Sequence, residues 1–473
     1  MEGFSGNIDG RDVALATDFY ELTMAAAYYY SNYQTDYDTN KIKGIFEMFV
    51  RKLPRNRSYL VAAGLEQVLY FLMNVKFNEG QLSYLKSLEV FKDMGEDFFE
   101  YLRNFKFTGN VWAVPEGTIL FPNEPIIRVE APIIEAQIVE TYILSMMNFQ
   151  SLIATKTSRI VTAAKGKSVI EFGSRRAHGP QAALLAARAS YIAGCIGTSN
   201  TLAGYKLGIP IFGTSAHSFI MSFEKEVEAF KQFNKIFPSG YLLVDTYDTI
   251  AAIKKIIKSG ITTAGIRLDS GDLYYLSVEA RRLLDNAPGG DYANTKIMAS
   301  GDLDEYLIHD LLNKGVPIDS FGVGTELSTS RDDPAMNGVY KLVAIKVPSS
   351  TLSNNEERVD ERIIYKIKTS SGKRSYPGPK QVYRIFENGL IKSDLIELEN
   401  EDKPVNSLPL LQKIFDKGEI LLKMRSIKEI QRFHLHQIKT LPAKFLDLDF
   451  VPETFPVSYS KQLEDKNREF EPQ

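Results

Sequence analysis

Cysteine is almost absent from this chain of 473 residues; Cys195 stands alone. A single thiol rules out an intramolecular disulfide framework and a cysteine-built metal cluster. Histidine is scarce too, with five copies, so a histidine in a loop of catalytic character is worth locating. No charge of one sign dominates. The 56 basic and 59 acidic residues leave a net charge of −3, which removes the electrostatic case for a nucleic-acid partner. Long apolar runs are also missing. The best stretch, residues 182–203, is interrupted by Arg188 and built of small residues, so no membrane span is expected. Near the amino terminus Glu2, Asp9, Arg11 and Asp12 fall where a signal peptide needs an apolar core. A soluble, cytoplasmic chain is the expectation. Hydrophobic residues at 44% and charged residues at 24% are ordinary globular usage, which excludes disorder, collagen and coiled coil. At about 150 residues per domain, the length suggests two or three domains.

What is present begins with a mixture of helices and short strands over residues 1–130. Asp18 and Glu21 give a D-x-x-E start, which predicts a capped helix from Phe19 to Tyr30. Residues 44–51 alternate, with Phe46, Met48 and Val50 on one face and Glu47, Phe49 and Arg51 on the other, as in a strand. Residues 58–73 return to a helical period through Leu60, Gly64, Val68 and Leu72. The β-prone pieces around Val111 and Ile126 carry Pro115, Pro122 and Pro125, which points to edge strands or turns. Two helices are expected over 132–147 and 151–164. Short apolar runs then recur at 168–172, 209–212, 241–244, 264–268, 296–299 and 320–323. Each ends in Gly, Ser, Thr or Asp, most pass into a helix, and their starts lie roughly 30 residues apart, the length of a strand-plus-helix unit. Such units imply parallel strands. An irregular barrel is the expected closure, with an open doubly wound sheet as the alternative, because a regular barrel needs eight strands and six are legible. Strand-like pieces at 341–347 and 362–368 follow, then a basic loop at 370–378. The last dozen residues, rich in Lys, Glu and Asp, read as a frayed end.

In parallel α/β folds ligands sit at the carboxyl ends of the strands. Those ends read Glu171-Phe172-Gly173-Ser174-Arg175-Arg176, Gly213-Thr214-Ser215-Ala216-His217-Ser218, Asp245-Thr246, Arg267-Leu268-Asp269-Ser270-Gly271-Asp272, Ser300-Gly301-Asp302 and Gly322-Val323-Gly324-Thr325. Glycines and hydroxyls suit phosphate, arginines neutralise it, and carboxylates hold ribose hydroxyls or magnesium, so the set fits a polyphosphorylated sugar. Ser300 and Gly301 fall in this set as contacts to such a sugar phosphate, which the resemblance below makes phosphoribosyl diphosphate. Each piece alone is weak: a Gly-x-Gly is more often a plain turn, Asp272 is a natural helix cap, and paired arginines are common at surfaces. Six strand ends repeating one chemistry carry the inference. His217, opening the expected helix 216–223, suits a nucleophile or general base. His178 ranks below it, His309 falls in a helix, and His434 with His436 reads as strand or surface. Zinc is not expected, for want of a third clustered ligand.

At these residues the chain resembles the nicotinate phosphoribosyltransferase family. The matching stretches are Thr17-Asp18-Phe19-Tyr20-Glu21-Leu22-Thr23-Met24, Phe46-Glu47-Met48-Phe49-Val50-Arg51-Lys52-Leu53-Pro54, Glu171 to Gly179, Gly213 to Phe219, Arg267 to Leu273 and Phe321 to Thr325, in family order. The resemblance implies an α/β chain of the type II phosphoribosyltransferase class. It would have an amino-terminal α/β domain with a mixed sheet (1–130), an irregular parallel α/β barrel (131–339), and a segment (340–473) packing back on the first domain. It implies a homodimer with active sites at the interface. The implied reaction joins nicotinate to phosphoribosyl diphosphate, releasing nicotinate mononucleotide and diphosphate, coupled to hydrolysis of ATP and assisted by Mg²⁺, in NAD salvage. His217 would carry the transient phosphoryl group. Tyr20 would stack on nicotinate, with Thr214, Arg267 and Arg175 also near it. Thr325, Gly322 and Gly324 would cradle the 5-phosphate, and Asp269 would hold ribose hydroxyls or Mg²⁺.

The nearest rival uses nicotinamide, which lacks a carboxylate and needs no arginine; Arg267 and Arg175 favour the acid. Quinolinate phosphoribosyltransferases are shorter and lack the ATP-linked histidine. A sensor on the same fold is disfavoured by the intact His217 and 267–272 loop, and an aldolase by the absence of a strand-end lysine. The 217–267 segment is short compared with some relatives, and Ser215 occupies a position that varies among them.

Overall fold

Apolar residues on both faces make Lys43–Val50 a central strand; seven of its eight residues are buried. It pairs antiparallel with Gly338–Pro348 on one side and Ile127–Pro132 on the other, so a late segment of the chain lies beside an early one. The computed structural model describes residues 13–31, 42–289, 291–348, 361–370, 373–421, 423–448 and 454–470. Two compact units result: Met1–Ser151 with Ala335–Phe445 and Pro452–Gln473, and Leu152–Pro334 with Leu446–Val451. In the first unit a seven-stranded sheet runs Glu361–Tyr365, Gly338–Pro348, Lys43–Val50, Ile127–Pro132, Asn110–Ala113, Gln412–Asp416, Glu419–Ile420. Asn110–Ala113 and Ile127–Pro132 are therefore interior strands, not edges or turns. The prolines that suggested otherwise, Pro115, Pro122 and Pro125, lie in the connection between them and remove no ladder donor. Residues 58–73 also differ from expectation. Leu60–Val61 is a short strand, and only Leu65–Asn74 is helical. Gly64 makes the break with φ 111°, where a Cβ would also meet the Met146 carbonyl at 2.6 Å.

The helix Phe19–Tyr30 has its expected bounds, but Asp18 makes no capping bond. Glu21 instead turns inward and accepts from Thr17 and from the Thr141 hydroxyl at 2.6 Å. In place of helices over 132–147 and 151–164 the chain forms Ile133–Ile138 and a single long Glu140–Ala163: the break falls at Val139, and Asn148, Phe149 and Gln150 contain no breaker.

The second unit holds the parallel sheet, in the order Gly197–Thr198, Ser168–Glu171, Ser320–Val323, Lys296–Ser300, Gly265–Leu268, Tyr241–Leu243. Five of the six expected strands are there. The sixth, 209–212, is only an isolated bridge from Ile211 to Thr198, and the short strand Gly197–Thr198 was not anticipated. The bridge segment nevertheless closes the sheet. Phe212 N–H donates to Thr198 at 2.9 Å on one side. On the other, Ser215 N–H reaches Tyr241 at 3.3 Å and its hydroxyl accepts from Leu243 N–H at 2.8 Å. An irregular barrel follows, with a seam at 209–215 carried partly by a side chain. Outer helices start on side-chain caps: Asn200 on Ala203, Asp248 on Ala251, Asp272 on Tyr275 and Asp304 on Leu307.

Two carboxy-terminal expectations fail in the first unit. Lys461–Arg468 is a helix, not a frayed end, because Ser460 caps it and Leu463 is fully buried; residues 471–473 lie outside the described residues. Of the basic loop 370–378, residues 371 and 372 also lie outside them. His434 and His436 fall on the helix Ile427–Thr440 rather than on a strand, and of the two only His436 lies at the surface. The helical spacing Ile430, His434, Gln437 places His434 on the buried face, where its Nδ1 lies 3.1 Å from the Gly117 carbonyl. Burial depresses its pKa to about 4, against the opposing pull of that carbonyl. The folded state keeps this imidazole neutral, whereas the unfolded chain protonates it near pH 6.5. Stability is therefore full above about pH 6.5 and falls toward pH 4, by about 3 kcal/mol from this residue. Urea unfolding of the wild type and His434→Gln across this range should show that part of the slope only in the wild type.

Candidate active site

The barrel strands carry their chemistry to one end. Arg267, on Gly265–Leu268, is the most constrained side chain there. Its Nε donates to Ser300 Oγ at 2.7 Å, Nη1 to Thr214 Oγ1 at 2.8 Å and Nη2 to Asp269 Oδ1 at 2.5 Å. Ser300 Oγ also donates to Asp269 Oδ1 at 2.5 Å. The guanidinium lies over the Phe172 ring, 5.6 Å from its centroid. Loops from four separate strand ends thus meet on one cation. They wall a cavity of about 460 Å³ that includes Phe172, Arg175, Thr214, His217, Arg267 and Asp269. Arg175 is exposed at its edge, without an ion-pair partner among the described residues.

His217 opens the short helix His217–Met221, with its side chain 44% exposed. Nδ1 lies 3.1 Å from the Thr246 hydroxyl and Nε2 lies 3.8 Å from Asp269 Oδ2. Asp245 completes the group: one ligand atom from each of His217, Asp245 and Asp269 falls within 4.8 Å of the others. A third clustered ligand, not expected from the sequence beside the histidine, is therefore present. Asp245 accepts from Ser270 at 2.6 Å through Oδ2, while its buried Oδ1 has no hydrogen-bond partner among the described residues. The two carboxylates, with an acceptor to spare, offer the oxygen ligands that Mg²⁺ takes, while the imidazole is a ligand of the kind zinc takes. Asp245 and Thr246 end the run 241–244, so the same positional signal that marked Asp269 marked them.

The small residues divide by role. Gly301 has φ 88°, and a Cβ there would meet the Asp269 carbonyl oxygen at 2.0 Å. Gly322 lies inside its strand, and its missing side chain admits the Phe172 ring, which would stand 2.6 Å from a Cβ. Gly324 precedes the one-turn helix Thr325–Thr329, which Thr325 opens. Ser300 is buried, its hydroxyl engaged by Arg267 and Asp269. Arg176 and His178 are exposed beyond Arg175 and do not line the cavity. Cys195 is buried, as its alanine-rich surroundings suggest.

Tyr20 belongs to the first unit. The residue is 47% exposed on Phe19–Tyr30, beside the half-exposed Phe19 and Met24. Partial burial and a hydrogen bond to the Glu140 carboxylate raise the phenol pKa, so Tyr20 is neutral. Beneath it burial lifts Glu21 to about 7 despite the threonine donors.

Comparisons with known proteins converge on one family. Models of the nicotinate phosphoribosyltransferase amino-terminal domain, family and carboxy-terminal domain match residues 15–148, 168–389 and 403–467. The chain is 42% identical over 459 residues to nicotinate phosphoribosyltransferase pncB2 of Mycobacterium tuberculosis, covering 95% of this chain and 92% of that protein. It is 38% identical to nicotinate phosphoribosyltransferase of Bacillus subtilis, covering 95% and 93%. The crystal structure of human nicotinic acid phosphoribosyltransferase shares the fold with a TM-score of 0.79 at 24% identity, over 95% of this chain and 99% of that one. That of nicotinate-nucleotide pyrophosphorylase from Pyrococcus furiosus does so with a TM-score of 0.70 at 28% identity, over 92% and 98%. Among the described residues no helix is long and apolar enough to cross a membrane.

The tight approach at Gly301 gives a direct test of the cluster. Gly301→Ala should displace the Asp269 carbonyl, destabilise the fold by about 1–3 kcal/mol in thermal unfolding, and cut turnover more than tenfold.

Proposed function

This chain belongs to the nicotinate phosphoribosyltransferase family, and we propose that it converts nicotinate and phosphoribosyl diphosphate to nicotinate mononucleotide and diphosphate in cytoplasmic NAD salvage. ATP hydrolysis is coupled through a phosphohistidine at His217. The observation that carries the reading is the fixed guanidinium of Arg267. Three of its nitrogens are engaged by Ser300, Thr214 and Asp269, yet each terminal nitrogen keeps a further N–H for a carboxylate. Arg175 adds charge on the same cavity. A neutral amide would gain little from two arginines.

The ring nitrogen of nicotinate displaces diphosphate at C1 of the ribose, and positive charge grows on the sugar as the leaving group departs. Catalysis then rests on positioning and on neutralising diphosphate. Asp269 and Asp245 would hold Mg²⁺, which supplies part of that neutralisation when bound. Gly322, Gly324 and Thr325 form the 5-phosphate end. Ser300 and Gly301 keep the strand end beside it open, and Asp269 remains available to ribose hydroxyls. At His217, Thr246 occupies Nδ1, leaving Nε2 as the atom to take a phosphoryl group from ATP. The phosphohistidine places negative charge beside the two aspartates, which favours a bound cation there. Tyr20 stacks on nicotinate, in a homodimer that brings the amino-terminal domain of one subunit to the barrel of the other.

Product formation from phosphoribosyl diphosphate, Mg²⁺ and either nicotinate or nicotinamide, with and without ATP, tests the reaction. Nicotinate should be consumed, ATP should stimulate the rate, and His217→Ala should lose the stimulation; turnover of nicotinamide alone would overturn the assignment. For the shared site, Tyr20→Ala and His217→Ala proteins should each be impaired. Mixed and re-equilibrated, they should regain part of the ATP-stimulated rate through hybrids carrying one intact site, and no recovery would count against the dimer.

A further inference from the structure

Glu171 ends the strand Ser168–Glu171 at the rim of the barrel but does not line the cavity. Its side chain is buried, 1% exposed, and its interactions are with neutral donors. One carboxylate oxygen accepts from the Gly173 backbone N–H. The other accepts from the Thr198 hydroxyl at 2.5 Å. Burying an ionisable group without a cation is costly, so the arrangement asks for a reason. Burial also raises its pKa, against the pull of both donors.

The reason lies in what these donors belong to. Gly173 is followed by Ser174 and Arg175, both on the cavity wall, and is preceded by Phe172, whose ring supports Arg267. Thr198 Oγ1 accepts in turn from Asn200 N–H at 2.9 Å, and the Glu171 carbonyl accepts from Ser199 N–H at 2.8 Å. The Thr198 carbonyl accepts from Phe212 N–H at 2.9 Å, two residues before Thr214. One carboxylate therefore ties its own loop to the 197–200 loop and, through Thr198, to the seam. Space around it is closed: a Cβ on Gly173 would stand 2.8 Å from Glu171 Oε1 and 2.4 Å from Ser328 Cβ.

We infer that Glu171 is a positioning residue for nicotinate recognition, holding Phe172, Arg175 and the Thr214 seam in register around Arg267 without touching substrate. This rests on the nicotinate reading above. Both partners are donors, so an amide at this position sets one N–H against a hydroxyl that must turn away.

The test compares wild type with Glu171→Gln and Thr198→Val. Loss of a hydrogen bond to a charged group corresponds to about tenfold, so each variant should raise KM for nicotinate about tenfold with kcat within about twofold. The double variant should be no worse than the poorer single, since Glu171→Gln removes a bond that Thr198→Val removes as well. Amide hydrogen exchange should rise in peptides spanning 172–179 and 197–215 in each variant, with substrate absent. Unchanged exchange and unchanged nicotinate KM in well-folded Thr198→Val would overturn the inference, as would multiplicative effects in the double variant or a uniform fall in kcat. If wild type does not turn over nicotinate, the functional reading fails. Exchange alone then decides the brace: raised in both segments it stands, unchanged it falls.

Discussion

The site depends on one guanidinium being held in one place. Arg267 has long rotamer freedom to lose, and three hydrogen bonds together with the Phe172 face remove it before any ligand arrives. Those partners come from different strand ends, so the constraint exists only if the strands keep their register in the barrel. Ser300 lies directly across the sheet from Gly322, and Met298 from Arg267. Moving one strand by a residue would turn that strand's side chains to the other face and break its bonds to Arg267. Fold and site are thus fixed by the same pairing.

A second regularity concerns negative charge. Glu21, Glu135 and Glu171 are all buried, and all three are held by threonine hydroxyls and backbone N–H groups; burial raises each of them. Other buried carboxylates are paired with cations, Arg384 with Asp394 at 2.6 Å and Lys156 with Glu305 at 2.6 Å, and at the site itself Asp269 takes one N–H of Arg267. Around the cavity the division keeps Arg175 uncommitted and part of Arg267 directed at a ligand. A carboxylate satisfied by neutral donors does not compete for the cations that an anionic substrate requires.

The parallel strands were legible because both faces of each are covered, giving short continuous apolar runs that end abruptly in polar loops. That same abruptness marked His217, Arg267, Asp269 and Thr214, which the structure gathers on one cavity. Legibility failed where a tertiary contact overrode a local pattern. Proline punctuation near Val111 and Ile126 hid two interior strands, since sequence does not show which side of a proline the ladder stops. Gly64 looked like one position in a helical period and is in fact its boundary. His434 read as strand or surface because its burial depends on Gly117, far away in sequence. The strand Gly197–Thr198 is too short to carry any periodic signal.

The seam at 209–215 has a consequence of its own. Elsewhere neighbouring barrel strands are joined by ladders of paired residues, but here the circuit is completed by one bridge, a few backbone bonds and the hydroxyl of Ser215. Thr214 sits on this weakest arc and bonds to Arg267, on a strand laddered on both sides. A molecule gripped by both residues therefore does more than fill a cavity: it acts as a rivet across the gap. Part of its binding free energy goes into closing the barrel, and the barrel's integrity becomes a function of what occupies it.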